Sequence, residues 1–264
     1  MSENTNDTED FSANTSLAAA LADREADEVN QEVIDSFGVD FATSTARDIS
    51  QRPYELIVNH ETGGRPYYEK VYGGRPVWPG ESSGVTIGFG YDLGYVGANE
   101  FQSDWRSLGN AAVGELLQCV GKHGGNTSDA SLKALTNAVK HIVITWEQGE
   151  IVFKAVTVPK FSNLTAKSLP NTDDLSDDSY GSLVSLTFNR GASYGIAWNK
   201  TKDPIDRYRE MRAIKARMAN RDFRSVPGEI RAMKRIWKGK TIEAEMTKRR
   251  EEEAALFEAG ITTA

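Results

Sequence analysis

The fold of this chain is decided by residues 53–94, which read PYELIVNHETGGRPYYEKVYGGRPVWPGESSGVTIGFGYDLG. Leu56, Ile57 and His60 lie at helical spacing and predict a short helix over residues 53–61. The glycine- and proline-rich residues 63–84 predict a loop or a hairpin, and the alternating VTIGFGYDLG that follows predicts a short strand. A helix that leads into strands in this way indicates an α+β domain.

The rest of the chain has the spacing of helices. Apolar residues recur every three or four positions between residues 100 and 165, and again between residues 179 and 260. Ser128 and Thr145 suit N-cap positions, the latter with Gln148 where a capping box requires it. We therefore expect an α+β fold that is predominantly helical, with a small β-hairpin or strand region and a helical lobe.

Charge is distributed unevenly along the chain. The net charge is −7, yet residues 1–48 hold 12 acidic and 2 basic residues, whereas residues 200–250 hold 17 basic and 7 acidic ones. The basic stretch has two interpretations: a solvated face of charged helices, or a surface for a polyanion such as peptidoglycan, teichoic acid or nucleic acid. No nucleic-acid-binding motif occurs, so we expect no nucleic-acid partner.

Several classes of protein are excluded by simple counts. No stretch approaches the roughly 18 apolar residues of a membrane-spanning helix, so no integral membrane segment is expected. The acidic, polar N-terminus does not have the pattern of a signal peptide. The single cysteine, Cys119, cannot form an intramolecular disulfide, and no Cys/His cluster has zinc spacing. We expect no metal and no organic cofactor.

Three residues of the deciding stretch suggest acid–base chemistry: Glu61, Thr86 and Asp92. Glu61 would close the first helix, where partial desolvation favours the neutral acid form that a proton donor needs. Asp92 would stay ionised, and the Thr86 hydroxyl can hold a water molecule. A carboxylic acid opposite a water held in this way is the arrangement that breaks a glycosidic bond. The nearby Gly84, Gly88 and Gly90 would let the backbone approach a sugar chain.

Each of these residues also has an ordinary structural interpretation. A glutamate at a helix end is more often a solvated surface residue, and a threonine in a strand commonly reflects β-propensity. The TIGFG run is similar to a nucleotide-binding glycine loop, but it lacks both the G-x-G-x-x-G spacing and the lysine of a P-loop. Residue types alone therefore leave the hydrolase hypothesis open.

Three motifs resemble those of the phage-type lysozymes. HETGG at residues 60–64, followed by Thr86 in TIGFGYD, resembles the helix-end glutamate and the T-I-G-x-G hairpin of that family, and most closely its pesticin-like muramidase branch. SLVSLTFNRGAS at residues 182–193 resembles the family's buried central helix, and residues 231–257 loosely resemble its closing helices. The resemblance covers roughly residues 49–260. It implies a lysozyme-like fold with Glu61, Thr86 and Asp92 as the catalytic set.

The implied activity is that of a muramidase, which cleaves the β-1,4 bond between N-acetylmuramic acid and N-acetylglucosamine. Many phage-type lysozymes place the second carboxylate before the threonine, so Glu81 competes with Asp92 for that role. By analogy we expect inversion, which requires the carboxyl oxygens of Glu61 and Asp92 to lie roughly 6.5–9.5 Å apart; about 5 Å would indicate retention.

Substrate binding is expected in a groove between the strand region and the helices. Aromatic rings can lie against sugar faces, and Asn189 and Arg190 are predicted at a helix end that faces this groove. His60 beside Glu61 could tune its proton affinity, although a packed histidine is the simpler interpretation. The candidate aromatic residues are Tyr67, Tyr68, Trp78, Tyr91 and Tyr95.

The resemblance also shapes the expected biology. We expect a monomer that is synthesised in the cytoplasm without a signal peptide and acts on peptidoglycan in the periplasm or outside the producing cell. Residues 1–48 are predicted to be a partly disordered acidic segment for docking or targeting, through export machinery, a virion or an immunity protein. Residues 49–264 form the predicted catalytic domain. An endolysin, a tail lysozyme and an antibacterial toxin all fit, as do a non-catalytic wall-binding module and a chitinase-like hydrolase.

Overall fold

The computed structural model describes residues 46–80 and 82–262. These residues form a predominantly helical α+β fold with a small two-stranded antiparallel sheet, as predicted. The competing carboxylate Glu81 lies outside the described residues, as does most of the acidic segment.

The first half of the described chain combines one long helix with the sheet. Residues 65–72, which were predicted as loop or hairpin, are instead short helical turns, because Pro66 sits in the first turn, where a proline favours a helix. In chain order the elements are α1 (Gln51–Thr62), the turns Arg65–Tyr67 and Tyr68–Tyr72, β1 (Thr86–Ile87), β2 (Tyr91–Asp92), α2 (Ala98–Asp104), α3 (Asn110–Leu116) and α4 (Asp129–Val139).

The regular elements in the second half of the described chain are helices. The capping box of Thr145 and Gln148 is confirmed, and the Ser128 side chain caps α4. Residues 203–208 form successive turns, and the helix that follows them begins at Arg209. The elements are α5 (Trp146–Val152), α6 (Val158–Ser168), α7 (Asp177–Arg190), α8 (Arg209–Ala219), α9 (Val226–Ala232) and α10 (Glu243–Thr262).

Helix α7 is the centre of the helical lobe, and every residue from 179 to 190 is buried. Two glycines allow its neighbours to approach closely. A Cβ on Gly181 would lie 2.3 Å from Pro53 of α1, and one on Gly260 of α10 would lie 2.2 Å from Ser179. Helices α1, α7 and α10 therefore pack as one unit, which brings the end of α1 against the middle of α10.

The strands belong to a second, smaller apolar cluster. Val85 and Ile87 of the strand region pack there with Trp105 and Leu116, all of them at most 1% exposed. The site predicted from the sequence lies where this cluster meets the helical lobe, because α1 belongs to one and β1 to the other.

Ordered packing begins before the predicted domain boundary. Arg47, which the sequence analysis assigned to the N-terminal segment, donates hydrogen bonds to the carbonyl oxygens of Thr172 and Leu175. Its guanidinium lies 4.5 Å from the centre of the Tyr180 ring. Among residues 46–80 and 82–262, no helix has the length and apolar character needed to cross a bilayer.

Candidate active site

Glu61 lies in the last turn of α1 and is almost completely buried, with 1% of its side chain exposed. Gly63 ends the helix with φ of +70°, and its N–H donates to the Asn59 carbonyl oxygen. A Cβ there would lie 2.8 Å from the Tyr67 ring, so a glycine is required. Arg249 Nη1 of α10 donates a 2.8 Å hydrogen bond to Glu61 Oε1.

Arg249 belongs to a buried chain of charges on α10. Its Nε donates to Glu253 Oε1 at 3.2 Å, and Arg250 donates to the same oxygen at 2.9 Å. Burial alone would lower the pKa of Arg249, but Glu61 and Glu253 outweigh it and the pKa is raised. For Arg250, burial dominates and lowers the pKa to about 10. Both guanidiniums therefore carry a positive charge at neutral pH.

This ion pair changes the expected protonation of Glu61. The predicted desolvation is present and favours the neutral acid, as do the carbonyl groups at the end of α1. The Arg249 guanidinium favours the ionised form instead. The neutral resting acid expected from the sequence is therefore opposed by a partner on α10 that the sequence analysis did not identify.

Thr86 and Asp92 are partners across the small sheet. Thr86 in β1 lies directly opposite Asp92 in β2. Leu93 N donates to the Val85 carbonyl oxygen, so the next pair, Thr86 and Asp92, is non-hydrogen-bonded, with Cα atoms about 4.5 Å apart. Their side chains therefore leave the same face of the sheet as close neighbours.

The Asp92 carboxylate is held by backbone amides. Gly94 N donates to Oδ1 at 2.7 Å, and Gly84 N donates to Oδ2 at 3.0 Å. A Cβ on Gly84 would lie 2.6 Å from Asp92 Oδ1, and one on Gly88 would lie 2.7 Å from the Trp105 ring. Gly84 and Gly88 are thus required by internal packing, and Gly88 also lines the cavity that contains Glu61.

Two small cavities meet at Gly90. Glu61 and Thr86 line the first, which has a volume of about 20 Å³, enough for roughly one water molecule. Asp92 lines the second, which has a volume of about 60 Å³ and also contacts Phe161 and Phe188 of the helical lobe. Residues of both apolar clusters line the second cavity, whereas Tyr68 and Tyr72, which line the first, pack with the cluster of the helical lobe.

The two cavities of the predicted site are smaller than a pocket for a sugar requires. Ligand pockets commonly begin at roughly 300 Å³, well above either cavity. A groove of about 770 Å³ instead lies between α1 and α10, where it is lined by His60 rather than by Glu61. His60 Nε2 there lies 2.7 Å from Glu252 Oε2, and its Nδ1 lies 3.4 Å from Glu245 Oε1. Its contacts are thus to α10.

The aromatic candidates are mostly part of the packed structure. Tyr68 lines the Glu61 cavity but is buried, and its hydroxyl donates to the Ile144 carbonyl oxygen. Tyr91 lines the Asp92 cavity, while its hydroxyl donates to Asp104 and its ring packs edge-on against Trp105. These bonds hold both rings in the protein, so the prediction that they provide free faces for a sugar is not supported.

The other three aromatic candidates do not line the Glu61 cavity. Trp78 donates from Nε1 to the Ser83 carbonyl oxygen, and Lys133 lies 5.6 Å from its ring centre. Tyr67 lines the larger groove between α1 and α10. Tyr95 lines the Asp92 cavity, and its ring stacks on His123 at 4.5 Å.

Asn189 and Arg190 do not face either cavity, which corrects their predicted position. Asn189 Oδ1 accepts a 3.0 Å hydrogen bond from Arg250, so it is part of the buried charge chain. Arg190 is completely buried, and its guanidinium lies between the rings of Tyr208 and Trp237. The end of α7 was expected at the surface of the groove, but α10, the segment before α8 and the turn after α9 cover it.

Two residues of the site were missed by sequence reasoning. Arg249 was visible only as part of an arginine-rich helix, 188 positions from its partner Glu61. Tyr72 lines the same cavity as Glu61. Burial, together with the charges of Tyr67 and Glu61, raises the pKa of Tyr72, so its hydroxyl stays protonated. Tyr72 lies in a short turn after α1, and no local pattern there indicates that its side chain will line a cavity.

Comparison with known proteins adds one match. The family described as a domain of unknown function, DUF8812, matches residues 57–184, just under half of the chain. That span includes Glu61, Thr86 and Asp92 and ends before Arg249. No curated protein and no solved structure matches the chain.

Proposed function

We propose that this protein is a muramidase of lysozyme-like fold that hydrolyses the β-1,4 bond between N-acetylmuramic acid and N-acetylglucosamine. One observation carries the proposal: Glu61 and Thr86 line one cavity, and Asp92 lies opposite Thr86 in the sheet. A proton donor, a hydroxyl and a carboxylate are the groups that such a hydrolysis needs. Their order along the chain is also that of the pesticin-like branch.

In the proposed reaction, Glu61 donates a proton to the glycosidic oxygen as the bond from that oxygen to the sugar carbon breaks. Thr86 positions a water molecule, and Asp92 accepts its proton as the water oxygen bonds to the same carbon. The amides of Gly84 and Gly94 fix the Asp92 carboxylate for this role.

The ion pair with Arg249 opposes proton donation by Glu61 in this reaction. Because it stabilises the ionised form of Glu61, proton donation requires their 2.8 Å contact to loosen when a glycan binds. The small cavities also require the strand region and the helical lobe to separate. We propose that both changes occur together as the glycan enters.

Replacement of Glu61 by glutamine tests the assignment. Glu61→Gln keeps the shape of the side chain but removes its acid, so release of reducing sugars from purified peptidoglycan should fall at least about a thousandfold. Glu55→Gln is the matched control, because Glu55 is an exposed glutamate of the same helix. If both variants hydrolyse walls at the normal rate, Glu61 is not the proton donor.

The same ion pair and the same narrow cavities favour a second candidate, a wall-binding module without catalysis. In that case the protein would sediment with insoluble peptidoglycan and release no reducing sugar. Glu61→Gln would then leave binding unchanged. The two functions are distinguished by measuring the pellet and the released sugars in the same experiment.

A further inference from the structure

Most of the arginines between residues 200 and 250 form ion pairs with other described residues. Arg217 of α8 pairs with Glu229 of α9, and Arg231 pairs with Glu251 of α10. Arg235 pairs with Glu210, whose side chain is 1% exposed. These arginines bind other helices of the lobe, so this part of the stretch supports the interpretation as charged helix faces.

The loop of residues 195–209 differs from the rest of this stretch. Trp198 and Ile205 are exposed, with relative accessibilities of 50% and 47%. Lys200 and Lys202 between them are also exposed, and neither has an ion-pair partner among residues 46–80 and 82–262. Two large apolar side chains and two lysines thus share one short, solvent-facing loop.

Hydrogen bonds within the loop and from the helical lobe fix the conformation of the loop. Trp198 Nε1 donates to the Asp203 carbonyl oxygen at 2.9 Å, which ties the ring to the following turn. Arg212 binds the Asp206 carboxylate at 2.6 Å, and Arg235 donates to the Ile205 carbonyl oxygen at 2.6 Å. The loop does not collapse onto its own apolar residues, because its backbone is anchored from the side of the helical lobe.

The two acidic residues of the loop, Asp203 and Asp206, both bind neighbouring groups of the protein. Asp203 accepts a hydrogen bond from the Arg207 backbone N–H, and Asp206 is paired with Arg212. Both are only partly exposed, whereas Lys200 and Lys202 face solvent. The outward surface of the loop is therefore cationic and apolar, even though the loop sequence contains both signs of charge.

We propose that the 195–209 loop docks on the surface of an anionic lipid membrane. Tryptophan prefers the boundary between headgroups and acyl chains, and lysines near anionic lipid each add binding energy. The exposed aliphatic Ile205 favours lipid over a glycan, because a sugar face stacks on aromatic rings but gains little from an aliphatic side chain. A teichoic acid or peptidoglycan strand is the competing partner.

The proposal is independent of the muramidase assignment, because none of these residues lines a cavity beside Glu61, Thr86 or Asp92. The proposal concerns the surface that the protein binds and not the bond that it cleaves. A surface-bound protein needs only an exposed apolar and basic patch.

Vesicle sedimentation with the whole chain tests the proposal. We expect binding to vesicles that contain phosphatidylglycerol, weaker binding to phosphatidylcholine alone, and release by added salt. Lys200→Gln with Lys202→Gln should weaken binding about twenty-five-fold, at about fivefold per charge. Trp198→Ala should weaken it roughly tenfold.

Ile205→Ser and Ile151→Ser form a matched pair, because Ile151 of α5 is 60% exposed but lies outside the loop. We expect only Ile205→Ser to weaken vesicle binding, and Glu61→Gln to leave it unchanged. The proposal is overturned if the loop variants bind vesicles as tightly as the unaltered protein. It is also overturned if the chain binds purified teichoic acid or peptidoglycan through this loop and ignores the vesicles.

Discussion

Glu61 and Asp92 are both buried carboxylates of the candidate site, but different kinds of groups hold them. Glu61 is bound by the guanidinium of Arg249, which is 188 residues away along the chain. Asp92 is bound by the backbone amides of Gly84 and Gly94, which are eight and two residues away. One side of the site therefore depends on side-chain charge, and the other on local backbone geometry.

This difference determines which substitutions should destabilise each side of the site. A charge held in the interior by another charge becomes costly when its partner is removed. A carboxylate held by backbone amides tolerates distant changes but not a change in the path of the two strands. Substitutions on the two sides should thus have separable effects, which four predictions examine by the free energy of unfolding.

The largest effect is expected on the helical side. Arg249→Met removes the guanidinium that compensates the buried Glu61 carboxylate and should lower the free energy of unfolding by about 3–5 kcal/mol in urea titrations at pH 7.

Arg231→Met is the control for this prediction. Arg231 also binds two carboxylates, but its side chain is 31% exposed and those of Glu251 and Glu258 are 44% and 49% exposed. Its loss should cost about 1 kcal/mol or less. If both variants lower the free energy of unfolding equally, burial does not strengthen the contribution of the Glu61–Arg249 pair.

The next effect is expected on the strand side. Gly84→Ala places a Cβ 2.6 Å from Asp92 Oδ1, Gly94 N and the Lys122 carbonyl oxygen, so these atoms must move apart. We expect a loss of about 2 kcal/mol and a strong fall in wall hydrolysis. Gly114→Ala in α3, where a Cβ meets nothing within 4 Å, should be neutral or stabilising. A harmless Gly84→Ala would contradict the close packing around Asp92.

A smaller effect is expected from Asp92→Asn. The amide keeps one acceptor oxygen, but its NH₂ group meets a backbone N–H, which should cost about 1.5 kcal/mol. If Asp92 accepts the proton of the attacking water, hydrolysis should fall about a hundredfold. Asp129→Asn, in the exposed first turn of α4, should change neither measurement appreciably. Full activity of Asp92→Asn would remove Asp92 from the catalytic set.

The smallest effect concerns Glu210, beneath the 195–209 loop. Burial by itself would raise its pKa, but Arg235 and Arg209 outweigh burial, and the pKa is lowered. Its stabilising contribution is present above the pKa of the unfolded chain and is lost as the pH falls through the folded value. Glu210→Gln should therefore cost about 1 kcal/mol at pH 7 and less below about pH 4. If the difference in the free energy of unfolding between Glu210→Gln and the unaltered protein does not change with pH, the lowered pKa of Glu210 is contradicted.

The parts of the fold with local signals were predictable from the sequence. Apolar spacing predicted α1 with Glu61 at its end, and the positions of Thr145 and Gln148 predicted a capping box, which is confirmed. The alternation around Thr86 predicted the strand region. The turns at residues 65–72 were missed, because glycine and proline mark a loop and a helix start equally well.

The parts that depend on distant contacts were not predictable. Nothing near Glu61 indicates that Arg249 will bind it, because helix packing alone brings the two together. The burial of Asn189 and Arg190 likewise follows from residues that cover the end of α7. The size of the two cavities depends on how the two apolar clusters pack against each other, and no local sequence pattern predicts that packing.

Mass analysis of the fragments that the chain releases from purified peptidoglycan tests the proposed chemistry most directly, because it reports which bond is cut. A muramidase produces fragments whose reducing end is N-acetylmuramic acid, and Glu61→Gln should abolish them. Fragments that end in N-acetylglucosamine, cut peptide bonds, or bound walls without any released fragment would contradict the assignment.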